Sequence, residues 1–195
     1  MAGRWGESPL PDRSAGPLLP YGNGRSYGDC CLNPRGVALD CRPLDRTLAF
    51  DAHRGIVRAE AGKTLADLLQ EIVPRGWFLP VTPGTRYVTL GGAVANDVHG
   101  KNHHRAGTFG CHVRSFGLLR SDGAQRSCAP DREQGLFAAT IGGLGLTGVV
   151  TDIELQLQPI SSTRVRVLTE SFAHLADYFE RCEAWDERHQ YTVAW

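Results

Sequence analysis

Between Gly84 and His104 the chain alternates backbone-permissive glycines with titratable side chains. His99, Lys101, Asn102, His103 and His104 fall within six residues of one another. Glycines at positions 84, 91, 92 and 100 let the main chain approach a ligand and offer amide donors without steric interference. The side chains beside them supply further donors, acceptors and positive charge. Buried polar groups in such numbers are costly unless satisfied, so the run reads as a binding site. Lys63 and Lys101 are the only lysines in the chain, which makes the cation at 101 conspicuous.

A second glycine-rich segment, Gly22 to Gly28, precedes it. Two such turns together can present several amides to a pyrophosphate, each charge-assisted bond contributing about 1.5–3 kcal/mol net. The Ser26 and Thr89 hydroxyls and the Asn96 amide have the chemistry to add to that set, and His99 or Lys101 to face a redox ring. A third glycine run, Gly143 to Gly148, satisfies G-x-G-x-x-G, but an alternating strand follows it where a dinucleotide fold needs a helix. It is read as a turn into a strand.

Other chemistries fit less well. His99, His103, His104 and His112 have spacings that invite a metal, yet Gly100 argues against the supporting helix and no carboxylate accompanies them, so no metal is expected. Ser26 is not assigned as a hydrolase nucleophile.

The elements that must position these groups are partly legible. Strands are expected at Gly36–Cys41 and Gly55–Glu60. Thr64 with Asp67 three residues on marks a helix start, and Leu65, Leu68, Leu69 and Ile72 share one face before Pro74. A hairpin is expected from Val113 to Cys128 around Ser121 to Gly123, and a short helix at Gly135–Thr140. Val149, Thr151, Ile153, Leu155 and Leu157 alternate with polar residues in a half-buried strand to Gln158. Beyond Pro159 the rhythm changes, to a strand at Arg164–Leu168, a helix opening at Ser171 with Phe172, Leu175, Phe179 and Cys182 on one face, and an apolar β-prone segment Tyr191–Trp195.

The 195 residues balance 21 Lys and Arg against 21 Asp and Glu, so no global field favours nucleic acid or an anionic membrane. The six cysteines have no zinc or disulfide spacing. The first twenty residues lack a signal-peptide core, and no apolar run reaches the ~18 residues of a membrane span. A reduced, cytoplasmic setting is the expectation.

The residues Tyr21 to Asp29, Pro83 to Thr85, Thr89 to Gly92, Asn96 to His104 and Gly142 to Gly148 together resemble the FAD-linked oxidases of the vanillyl-alcohol oxidase and p-cresol methylhydroxylase superfamily, over about residues 20–160. The resemblance implies an α+β fold: an irregular lead-in at 1–20, a PCMH-type FAD-binding domain at 21–160, and at 161–195 the start of a truncated substrate, or cap, domain. By motif, FAD would be lined by Gly22, Asn23, Gly24, Arg25, Ser26, Tyr27, Gly28, Asp29, Gly84, Thr89, Leu90, Gly91, Gly92, Asn96, Asp97, Val98 and His99, with Val150 touching the adenosine side through its backbone. Lys101 and Asn102 would lie at the isoalloxazine and the substrate, in catalytic roles. Some members tether FAD through a histidine of the first glycine loop. Arg25 stands there instead, so non-covalent FAD is expected.

The same resemblance implies hydride transfer from a secondary alcohol of a sugar or polyol, lipid-linked in some relatives, to flavin N5. A reductase or an epimerase is the implied partner. A non-catalytic FAD-binding fragment and a MurB-like flavin reductase remain open as alternatives. The strand and helix that usually precede the first glycine loop are not legible in this chain.

Overall fold

The computed structural model describes residues 16–195. Its centre is a five-stranded antiparallel sheet in the order β3-β4-β8-β6-β7, formed by β3 (Thr47–Asp51), β4 (Ile56–Glu60), β6 (Val113–Leu119), β7 (Gln125–Cys128) and β8 (Val149–Gln156). Two smaller pairs flank it. β1 (Leu18–Tyr21) runs parallel to β2 (Val37–Asp40), and β5 (Trp77–Phe78) pairs with β9 (Gln158–Pro159).

One face of the main sheet is covered by α1 (Leu65–Ile72) and α2 (Leu90–Ala95). Leu65, Leu68 and Ile72 of α1 and Leu90, Ala93 and Val94 of α2 pack with Val57, Phe116, Ile153 and Leu155 in one core. The start of α1 follows its sequence signal, with Thr64 accepting the Asp67 amide and Gly76 in the left-handed conformation closing the short turn Val73–Arg75. Phe137 of α4 (Gln134–Thr140) stacks on Phe116 with ring centroids 5.2 Å apart.

The alternation along β8 is interrupted. Gly117 pairs with Asp152 and Leu118 with Val150, so Thr151 has no partner in β6 and forms a bulge. A side chain at Gly117 would strike Thr151 and Asp152, which is why the bulged strand needs glycine opposite it. The bulge moves Val150 onto the core face with Ile153 and Leu155, and turns Val149 toward a separate cluster with Leu39 and Cys41. The expectation that Val149 and Thr151 share the face of Ile153 is therefore corrected.

Five further corrections concern elements. β1 begins at Leu18, inside the stretch read as an irregular lead-in, and supplies a strand directly before the first glycine loop; residues 1–15 of that stretch lie outside the described residues. The segment Thr89 to Gly92, read as a turn, opens α2. Arg164–Leu168 is not a strand, and neither is Tyr191–Trp195. The C-terminal helix α5 is Leu175–Arg188 with His174 at its cap, so Phe172 precedes it.

Candidate functional site

The two glycine-rich segments meet. Gly22 lies so close to Thr89 that a β-carbon there would come 2.5 Å from Thr89 Oγ1, and one at Gly24, where φ is +57°, would come 2.5 Å from the Tyr21 hydroxyl. Asn23 Nδ2 donates to the Tyr87 carbonyl at 2.8 Å, and Ser26 Oγ donates to Asn96 Oδ1 at 3.4 Å. Asn96 in turn donates through Nδ2 to the Gly92 carbonyl at 2.9 Å. The first loop is thus stitched to both ends of α2.

Above this seam opens a cleft of about 1980 Å³. Gly22 to Tyr27, Gly84, Thr89, Gly91, Gly92, Asn96, Val98, His99, Lys101 and Val150 all line it. Gly28, Asp29, Leu90, Asp97 and Asn102 are not on its wall. Leu90 is turned into the core, and Asp97, at φ +41°, accepts the Gly110 amide at 2.9 Å.

The amides of Asn23, Gly24, Arg25 and Ser26 have no acceptor among the described residues, whereas those at the start of α2 are already engaged. Leu90 N–H donates to Lys63 O at 2.8 Å and Gly91 N–H to Ala61 O at 2.7 Å, while Gly92 N–H donates to Thr89 Oγ1 at 3.1 Å. Both glycine segments were expected to present amides; only the first has them free. The second contributes a wall and an anchor.

Asn102, expected beside the ring and the substrate, is placed behind the cleft wall. It is 1% exposed, donates through Nδ2 to the Pro80 carbonyl at 2.8 Å, and its Oδ1 is buried without a partner among the described residues. Lys101, its neighbour, is exposed on the cleft and forms no ion pair with a carboxylate among the described residues. Lys63 is the opposite case. It is buried, with Nζ 2.7 Å from Glu71 Oε1. Burial alone would raise the Glu71 carboxyl, but hydrogen bonds from Lys63 and from Thr47 outweigh it and hold the carboxyl below its ordinary value.

The histidines serve separate bonds. His103 Nδ1 lies 3.1 Å from the Gly100 carbonyl and His112 Nε2 2.9 Å from that of Ala106. Among the described residues no three His, Cys, Asp or Glu side chains gather as a metal set. Although Gly24 to Gly28 spells G-x-S-x-G, no strand-to-helix elbow holds Ser26, and its hydroxyl meets Asn96 instead of a histidine. Gly143 to Gly148 is a turn into β8, tied to α2 by Leu144 N–H donating to Ala95 O at 2.9 Å.

The far wall of the cleft was not foreseen. Tyr178, Cys182, Trp185 and Asp186 of α5 line it. That helix and the segment after it hang on Lys101 to Arg105: Arg105 Nε donates to Asp186 O at 3.1 Å, and Thr192 N–H, beyond the helix, donates to Lys101 O at 3.0 Å. Cys41, buried in the floor, has its thiol pushed up to about 11 by that burial.

A glycine loop whose amides have no acceptor among the described residues, a glycine-walled cleft and a lysine on its rim give this α+β domain the chemistry suited to a phosphate-bearing cofactor. The FAD binding domain family matches residues 12–129. Over 143 residues the chain is 45% identical to a decaprenylphosphoryl-β-D-ribose oxidase of Mycolicibacterium smegmatis, covering 73% of this chain and 31% of that protein. It is 48% identical over 132 residues to an uncharacterized protein of Streptomyces coelicolor, covering 67% and 35%, and 29% identical over 137 residues to an alditol oxidase of a Streptomyces species, covering 70% and 32%. The chain belongs to the FAD-binding domains of the vanillyl-alcohol oxidase and p-cresol methylhydroxylase superfamily, and FAD is its cofactor. It spans about a third of the length of these relatives.

Proposed function

We propose that this chain is the FAD-binding part of an oxidoreductase that oxidises a secondary alcohol of a sugar or polyol, with FAD held non-covalently. The observation that carries the reading is the stretch Asn23 to Ser26, fastened beside α2 and lining the cleft, whose amides have no acceptor among the described residues. Those amides and the Arg25 guanidinium receive the pyrophosphate. Gly84, Gly92 and Val98 wall the cofactor, Val150 meets its adenosine side, and His99 and Lys101 stand toward the ring.

Bound FAD supplies the acceptor, at N5, for a hydride from the substrate carbon. The protein's contribution is placement: Lys101 puts positive charge where the reduced ring becomes anionic, and the glycine walls exclude water. The relatives named for a decaprenylphosphoryl ribose and for alditols support a sugar or polyol, lipid-linked in one of them. Residues 161–195 are read as the opening of the substrate-facing part, because α5 lines the cleft opposite the glycine loop. The six thiols are all unpaired, which supports a reducing, cytoplasmic setting. No helix among the described residues is long and apolar enough to cross a membrane.

The test is the visible spectrum of the purified chain before and after acid precipitation. Yellow colour released to the supernatant is expected; colour that stays in the pellet would refute non-covalent binding, and a protein that stays colourless with added FAD would refute the reading.

A further inference from the structure

We infer that Asn102 is a positioning residue that fixes Lys101 at the cleft, an inference that rests on the FAD reading above. Lys101 sits in the middle of a tight turn. Gly100 O receives the His103 amide at 3.3 Å and the His103 ring at 3.1 Å, and Asn102 O receives the Arg105 and Ala106 amides at 2.9 and 2.8 Å, opening the one-turn helix α3 (His103–Ala106). On its inner side the turn presses against the segment before the Gly84 loop. A β-carbon on Gly100 would come 2.7 Å from the Thr82 carbonyl oxygen and 2.9 Å from Asn102 Oδ1.

The only side-chain hydrogen bond from this turn to that segment is Asn102 Nδ2 to Pro80 O. Its other end, Oδ1, is buried with no donor among the described residues. A buried acceptor without a donor costs stability, so the amide is a poor choice for packing alone. Its use is the clamp: Pro80 contributes no amide of its own but needs its carbonyl satisfied, and a side chain facing inward at 102 forces the neighbouring side chain at 101 outward. The Thr192 amide also holds the turn through Lys101 O at 3.0 Å, but from the outer side, and the Lys101 ammonium itself has no carboxylate partner among the described residues. Asn102 therefore acts on the flavin through Lys101 without touching it.

The experiment is a thermodynamic cycle on the FAD-loaded chain, read as the flavin midpoint potential. Lys101→Met is expected to lower the potential by removing the cation that favours the reduced ring. Asn102→Ala is expected to lower it in the same direction, with the ratio of reduced to oxidised FAD affinity falling roughly threefold or more, ~15 mV for a two-electron couple. In the Lys101→Met background, Asn102→Ala is expected to add nothing. An equal shift in both backgrounds, or none in the wild-type background, overturns the inference. If Asn102→Ala does not fold, Asn102→Ser, which removes less volume and keeps a polar group, is read on the same cycle with the same two outcomes. A wild-type chain that takes up no FAD overturns the functional reading and this inference with it, whereas a flavinated chain with additive shifts overturns the inference alone.

Discussion

Gly84 and Gly91 separate ligand approach from protein packing, because the same substitution meets different surroundings at the two sites. At Gly84, on the cleft wall, an added β-carbon has no protein atom within 4 Å. At Gly91 it would lie 3.1 Å from Ala61 Cβ and 3.2 Å from Ala61 O, where α2 crosses the chain beside β4. Overpacking of that kind costs about 1–3 kcal/mol, and in a chain of this size each kcal/mol lowers Tm by about 2–4 °C. Gly91→Val is therefore expected to lower the apo-protein Tm by about 2–12 °C. Gly84→Val is expected to change apo stability by less than about 0.5 kcal/mol. Its cost appears in the ligand: a side chain wedged between backbone and cofactor at about 1–3 kcal/mol weakens FAD binding by roughly 5- to 150-fold. The assay pairs thermal unfolding of the apo chain with an FAD titration followed by flavin fluorescence. If Gly84→Val binds FAD like the wild type, the cofactor does not pass that wall and the site is misplaced.

Arg25→Ala, which removes a cation beside the free amides, is expected to weaken FAD by about 1.5–3 kcal/mol if it meets a phosphate, read in the same titration. Cys41, with its thiol raised from 9.0 to about 11, is protonated in both states at neutral pH; between about pH 9 and pH 11 the unfolded thiol ionises first, so about 2–3 kcal/mol of stability is lost as pH rises. Cys41→Ala should flatten that limb in urea unfolding at pH 8 and pH 11. The Glu71 carboxyl is lowered in the fold, so its contribution is present above its ordinary pKa near 4.5 and fades as pH falls through the folded value; Glu71→Gln should reduce the acid dependence of Tm. Phe116→Ala, emptying a fully buried site stacked on Phe137, should cost about 3–5 kcal/mol by denaturant unfolding.

Local signals were legible wherever a residue bonds within its own turn or strand. Thr64 and Asp67 announce α1, and the hairpin at Ser121 to Gly123 follows from its turn residues. The bulge at Thr151 was not legible, since it depends on which residue of β6 faces it. Nor was α2, whose sequence holds two adjacent glycines, each about 1 kcal/mol worse than alanine in a helix. Its first amides are held by the carbonyls of Lys63 and Ala61, contacts that no reading of Leu90 to Ala95 alone reveals. The same contacts engage the amides that the sequence reading left free for a phosphate. Most of the residues that motif assigns to FAD line the cleft, but motif does not separate Lys101, exposed on it, from Asn102, buried with its amide on the Pro80 carbonyl, a contact distant in sequence.

The central claim is that FAD phosphates rest on the amides of Asn23 to Ser26. Amide chemical shifts of the isotopically labelled chain, followed by NMR as FAD is added, test it directly. The largest changes are expected at Asn23, Gly24, Arg25 and Ser26, with Leu90 and Gly91, whose amides are already bonded, moving little. Large shifts at Leu90 and Gly91 with the first loop unmoved would contradict the account.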